Sequence, residues 1–208
     1  MEKPTESRAI PMVGCRDQVE ALARAIQAGQ SRLIVGPPGI GKSRLVAEAL
    51  SLHPAPYLLL QCPLKLSVLK ALQAVPRTIV LEDVVNSSPR LYRFLQEIYH
   101  SSHHCLVVTT RSLDSLGYLR KLLWDPREQV YLKPFRRAEA AALLEAAIAA
   151  YQLDSLDLDD FRTKMLRSAR GNPGQILAMC RLATRPEYRV GRRIRFLPLR
   201  MEMLPAFV

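Results

Sequence analysis

One stretch limits what this chain can fold into more than any other: Gly36-Pro37-Pro38-Gly39-Ile40-Gly41-Lys42-Ser43. It fits the pattern G-x-x-x-x-G-K-[ST]. An apolar run, Leu33-Ile34-Val35, precedes it, and a helix-forming run, Arg44-Leu45-Val46-Ala47-Glu48-Ala49-Leu50, follows it. A strand that turns sharply into a helix needs glycine where the backbone curls, and the curl points successive N–H groups inward. The start of the helix adds a partial positive charge. Such a loop cradles phosphate. On this reading Lys42 reaches the β- and γ-phosphates of ATP and the Ser43 hydroxyl binds Mg²⁺. All eight loop residues, with Arg44 just beyond them, are candidates for the nucleotide site.

A second stretch, Thr78-Ile79-Val80-Leu81-Glu82-Asp83, runs strand-forming residues into two carboxylates. In an open parallel sheet the ligand lies beyond the carboxyl ends of the strands, which would bring these acids beside the phosphate loop. One acid would hold Mg²⁺ and the other would orient the attacking water. Glu82 is assigned to the metal and Asp83 to the water, with the reverse order as the alternative. A third run, Cys105-Leu106-Val107-Val108, ends in Thr109-Thr110-Arg111. A threonine hydroxyl at that strand end can sense the γ-phosphate or hold the water. Arg111 contacts phosphate or caps local structure.

The remaining pattern sets the architecture. A helix is expected after Asp17, read as its N-cap, with Val19, Leu22, Ala23 and Ile26 at helical spacing. Tyr57–Leu60 reads as a second buried strand and residues 64–75 as a short helix. Ser88-Pro89-Arg90 opens a helix, Leu116–Leu123 forms a short one, and Val130–Leu132 is a fifth strand. Strands alternating with helices predict an α/β fold, a three-layer αβα sandwich around a five-stranded parallel sheet. Past Pro134 the pattern is helical only, over residues 136–151, 158–170 and 175–183, and reads as a small lid. The expected divisions are a flexible arm (1–10), a nucleotide-binding core (11–134), a helical lid (135–183) and a basic tail (184–208). That tail holds six arginines and two acids and reads as short strands or an extended arm.

Charge and cysteine usage narrow the function classes. Thirty Lys and Arg against nineteen Asp and Glu give a net charge of +11 over 208 residues, which points to a polyanionic partner, nucleic acid first. Cys15, Cys62, Cys105 and Cys180 show no C-x-x-C spacing and read as reduced thiols. His103-His104-Cys105 lacks a second ligand cluster and is set aside as a metal site. No apolar run is long enough to span a membrane. The polar start, Met1–Ser7, has no apolar signal core, and the expected location is cytoplasmic.

With these landmarks the chain resembles the AAA+ ATPases and their neighbours, the STAND signalling ATPases, from about Met12 to Leu182. Val13-Gly14 looks like the adenine-side box ahead of the first helix. Gly36–Ser43 is the Walker A loop, Ile79–Asp83 looks like Walker B, and Thr109-Thr110-Arg111 is similar to the sensor-1 region. Leu132-Lys133-Pro134-Phe135 with the following helix looks like the junction into the lid. Gly171-Asn172-Pro173 resembles the turn where a lid meets the nucleotide, which makes Pro173 a candidate contact. The resemblance implies ATP-dependent oligomers, ring or filament, with the active site at a subunit interface and an arginine finger supplied by the neighbour. Arg127 is the first candidate for that finger and Arg120 the second. Three features depart from the pattern. Walker B reads Glu-Asp where Asp-Glu or Asp-Asp is usual. Gly174 stands where many DNA-associated relatives place a sensor-2 arginine. The short spacing from Lys42 to Glu82 leaves a minimal second strand–helix unit.

The expected activity is ATP binding and hydrolysis coupled to action on DNA, with the Glu-Asp order pointing to slow turnover. A target-selecting transposition regulator or a replication-type loader fits that description. Lys65, Lys70, Arg90, Arg93, Arg192 and Arg193 are the candidates for backbone contacts, which are sequence-tolerant and salt-dependent. A further protein partner is expected. The alternative is a STAND-type switch acting through protein partners, which T-T-R favours. A third class is an adaptor that uses ATP only to fold or dock.

Overall fold

The structure is a computed structural model and describes residues 10–11, 13–52, 54, 56–62, 77–101 and 104–203. The expected helix over 64–75 lies outside them. The chain divides into two compact units: Asp17–Pro37 with Gly41–Leu132, and Lys133–Val208 with Met1–Arg16 and Pro38–Ile40.

The first unit is built on five strands: β1 (Arg32–Val35), β2 (Tyr57–Gln61), β3 (Thr78–Glu82), β4 (Cys105–Thr110) and β5 (Gln129–Tyr131). They lie in the order β2-β3-β4-β1-β5, and all four pairings are parallel. Parallel strands require crossovers, and helices α2 (Lys42–Leu52) and α3 (Pro89–His100) lie between strands in the chain, with α1 (Arg16–Gln27) ahead of β1. Both faces of the sheet are covered. Leu33, Ile79, Leu81 and Leu106 are fully buried in one cluster with Leu95 of α3 and with Leu116 and Leu119. Ile34, Val80 and Val107, pointing the other way along the same strands, are equally buried. This is the expected α/β sandwich.

Three local features differ from the sequence-based expectation. Asp17 sits in the first turn of α1, where it complements the helix dipole, since the helix begins one residue earlier at Arg16. β2 has one neighbour in the sheet, and of its residues Leu60 alone is buried. Leu116–Leu123 is not one α-helix but two 3₁₀ turns, Asp114–Leu116 and Tyr118–Lys121. Gly117 separates them at φ 62°, and a Cβ there would stand 2.8 Å from the backbone nitrogen of Ser87. Only glycine allows both the left-handed backbone and that approach.

The second unit is helical. It holds α4 (Arg137–Ala150), α5 (Asp159–Ala169), α6 (Pro173–Ala183) and α7 (Phe196–Met203). A ribbon of β6 (Arg189–Val190) and β7 (Arg193–Ile194) pairs antiparallel ahead of α7. The short strands expected in the basic segment are therefore present, while α7 replaces an extended arm. Leu199 of α7 is 0% exposed and shares one core with Leu144, Phe161, Met165, Ile176 and Ile10. The Ala-rich sequence of α4 lets it pack closely in that core, burying Ala140, Leu143, Leu144, Ala147 and Ile148. Leu199→Ala should remove a fully buried side chain and destabilise the protein by about 2–5 kcal/mol. Thermal unfolding checks this, and an unchanged melting temperature would detach α7 from the core.

Candidate active site

The sheet unit assembles its polar centre at the carboxyl ends of its strands. The chain leaves β1 at Gly36, whose N–H donates to Thr110 O at 3.2 Å. Lys42 opens α2 and is 6% exposed. Its Nζ donates to Gly36 O at 2.8 Å and to Pro37 O at 3.2 Å. Asp83 Oδ1 lies 3.9 Å from the same nitrogen. Burial pushes the Lys42 pKa below its ordinary value, Asp83 pulls it back up, Arg111 lowers it further and Glu82 raises it. A desolvated ammonium is thus held over the root of the loop, balanced by two carboxylates and two carbonyl oxygens. Ser43 is exposed beside it, and Arg44 is tied along α2 to Glu48 at 2.7 Å.

The two acids differ in setting. Glu82 is the half-buried last residue of β3, while Asp83 is exposed and takes φ 49°. An aspartate in the left-handed region persists where its surroundings over-determine it. Here β4 does so. The Asp83 N–H donates to Thr109 Oγ1 at 3.0 Å and the Val84 N–H to Thr109 O at 2.9 Å. Thr110 Oγ1 donates to Val84 O at 2.9 Å and meets Ser115 Oγ at 2.9 Å. Thr109 and Thr110 are both 0% exposed. Their hydroxyls bond to the backbone just past the end of β3.

Arg127 lies elsewhere. It immediately precedes β5, whose Gln129 pairs with Leu33, so it sits at the amino ends of the strands, opposite the loop. It is 90% exposed and its Nη2 donates to Asp125 Oδ2 at 2.6 Å. It borders a polar cleft of about 500 Å³ with Tyr99, His104 and Glu128. Arg120 pairs with Asp114 at 2.9 Å. Arg90 and Arg93 are exposed on α3. Lys65 and Lys70 lie outside the described residues, as does His103.

In the helical unit Val13 packs against the core, and Gly14 turns at φ 75° beside Glu139. Pro173 is buried as the first residue of α6, capped by Asn172, whose Oδ1 accepts from Gln175 N–H at 3.2 Å. Asn172 also donates through Nδ2 to Pro38 O at 2.9 Å, and the Gly174 N–H donates to Gly39 O at 2.8 Å. A Cβ on Gly174 would stand 2.7 Å from the Gly39 backbone. The sequence reading placed Asn172 within a turn without a role. The signal available was Asn ahead of Pro at a helix start, which marks an N-cap. Arg192 donates to Ser155 O at 2.9 Å, and Arg193, 85% exposed, lies 3.6 Å from Asp157.

No protein-family model and no curated protein matches the sequence. Solved structures do match the fold. The Thermotoga maritima RuvB Holliday junction branch migration motor superposes with a TM-score of 0.64 at 18% identity, over 81% of this chain and 61% of that one. A P216G mutant of T. maritima RuvB gives 0.65 at 15% identity, over 87% and 65%. The S. cerevisiae Hsp104–ADP complex gives 0.60 at 14% identity, over 86% and 31%. The chain spans less than two thirds of the length of each of these structures. The chain shares the α/β fold of the RuvB and Hsp104 structures, as its resemblance to the AAA+ ATPases implies.

Thr109→Val keeps the side-chain volume and leaves the Asp83 N–H without its acceptor. It should cost about 1–3 kcal/mol of stability, with Thr109→Ser costing clearly less. Chemical denaturation of both variants tests this, and equal losses would remove the hydrogen bond as the cause.

Proposed function

We propose that the chain is an ATP-binding and ATP-hydrolysing module that assembles with ATP and acts on DNA. The observation that carries this is Lys42, buried at the root of a glycine-rich loop, its ammonium donating to two loop carbonyls with the Asp83 carboxylate 3.9 Å away. Phosphate oxygens can take over from those carbonyls and supply full negative charge in a desolvated setting. The oxygen donors of Ser43 and Glu82 suit a hard divalent cation, and Mg²⁺ held by them would neutralise charge on the β- and γ-phosphates. Asp83 then accepts a hydrogen bond from the attacking water and orients it. Thr109 and Thr110 serve as positioning residues for Asp83. Val13, Gly14, Gly39 and Pro173 remain candidates for contacts to the nucleotide.

Action on DNA is supported by the +11 charge, by exposed Arg90, Arg93, Arg192 and Arg193, and by the fold shared with a branch migration motor. Target selection for transposition and loading of replication machinery are the roles proposed for it. Arg127 is the proposed arginine finger: its solvent-facing position away from its own loop suits donation to a neighbouring copy, with Arg120 as the second candidate. In a STAND-type switch the same ATP site would act through protein partners instead.

Lys42→Ala should weaken ATP binding about 10–100-fold, the loss of one or two charge-assisted hydrogen bonds. Equilibrium binding of a fluorescent ATP analogue reads this, and unchanged affinity removes the loop assignment. Glu82→Gln and Asp83→Asn should retain ATP and slow turnover at least about 10-fold. Turnover and assembly measured with duplex DNA across a salt series separate the two roles. Salt-sensitive stimulation supports DNA, and no response to DNA turns the reading toward a protein-partner switch.

A further inference from the structure

The helical unit carries a groove of about 1090 Å³ that the nucleotide reading does not use. Its size lies at the upper end of the range for small-molecule pockets. Its rim is cationic: Lys164, Arg167, Arg170, Arg195 and Arg200 border it, against the single acid Asp160. Asp160 is taken up by Lys164, at 2.7 Å. Among the described residues no hydrogen bond or ion pair engages the side chains of Arg167, Arg170, Arg195 or Arg200. Some arginines elsewhere in this unit are paired with acids, as Arg162 is with Glu145 at 2.8 Å and Arg185 with Glu202 at 3.3 Å. Unpaired guanidinium groups therefore gather around this groove.

Two more observations bear on its occupant. Arg170 takes φ 47°, a backbone position where glycine or asparagine is cheaper. The floor is apolar, made by Met179, Ile194 and Phe196, and Leu197 stands 67% exposed at its side. A nucleic-acid backbone satisfies arginines without needing such a floor. A carboxylate-bearing peptide with interspersed Leu or Phe satisfies both, since bidentate carboxylates match guanidinium and apolar side chains cover Leu197.

We infer that this groove, formed between α5, the Arg170–Gln175 turn and α7, is a docking site for an acidic, apolar peptide segment of a partner protein. It goes beyond the ATP reading and requires no step of it. The segment alternates carboxylates, which meet Arg167, Arg170, Arg195 and Arg200, with large apolar residues that seat on Phe196 and Leu197.

The test uses the full chain and fluorescence anisotropy. The probes are a labelled peptide alternating Glu with Leu and one Phe, an all-Glu peptide of the same length, and a single-stranded oligonucleotide of matched charge. The Glu/Leu peptide should bind at least about 10-fold tighter than either competitor, since only it uses the apolar floor. Arg167→Glu with Arg170→Glu should weaken it at least about 10-fold through like-charge contact, and Leu197→Ser at least about 3-fold. Arg200→Glu alone gives a second charge variant should the pair fail to fold. ATP affinity, measured on the same variants, should stay unchanged, so failure of the peptide site and failure of the nucleotide site read out separately. Equal binding of the all-Glu peptide or the oligonucleotide, with no effect of Leu197→Ser, would overturn the inference, as would the absence of binding to any probe.

Discussion

The sheet unit depends on how a buried parallel sheet ends. Leu33, Ile34, Val80 and Val107 are fully buried, so their strands cannot leave backbone groups unpaired at the edge where the chain turns away. Each end is closed by a bond just past the ladder. Gly36 N–H donates to Thr110 O, Leu132 N–H to Val35 O, Val84 N–H to Thr109 O and Cys62 N–H to Glu82 O. The residues that leave the strands are thereby fixed by backbone pairing before any side chain acts. Lys42 and Asp83 come close because the strands that precede them, β1 and β3, flank the same β4.

That fixed edge makes a buried cation tolerable. A lysine 6% exposed would be costly without compensation, and burial is the largest influence on its pKa. The compensation is local: two loop carbonyls and the Asp83 carboxylate. Asp83 provides it from a left-handed backbone that β4 maintains through Thr109. The strand that lies between β3 and β1 therefore also sets the distance between the acid and the ammonium. Thr109, Asp83 and Lys42 thus form one chain of contacts from β4 to the loop.

The sequence displayed the elements of this arrangement more clearly than their joints. Gly36–Ser43 and the run into Glu82-Asp83 were legible because glycines and strand-end acids carry chemistry in their order along the chain. The five strands were legible as apolar runs, although the exposure of β2 was not, since an edge position depends on which strand it pairs with. Leu116–Leu123 has helical spacing, and tertiary contact at Gly117 against Ser87 overrides it. The Thr109–Asp83 bond joins residues 26 apart, and nothing in their spacing announces it. Phe196–Met203 falls in a segment expected as short strands or an extended arm, whereas buried Leu199 and Met203 anchor it as a helix.

Gly174 links the departures from the family pattern to packing. Its N–H donates to Gly39 O, and a side chain there would collide with the Gly39 backbone. An arginine at that position is excluded by space in this arrangement, so its absence follows from the close approach of the α6 start to Pro38–Ile40. Asn172 reinforces the approach through Pro38 O while capping the same helix. The helix start is thus occupied by loop carbonyls, with its N–H groups spent on protein oxygens. Arg167, Arg170, Arg195 and Arg200, unpaired among the described residues, line the α5–α7 groove beside Met179, Ile194 and Leu197.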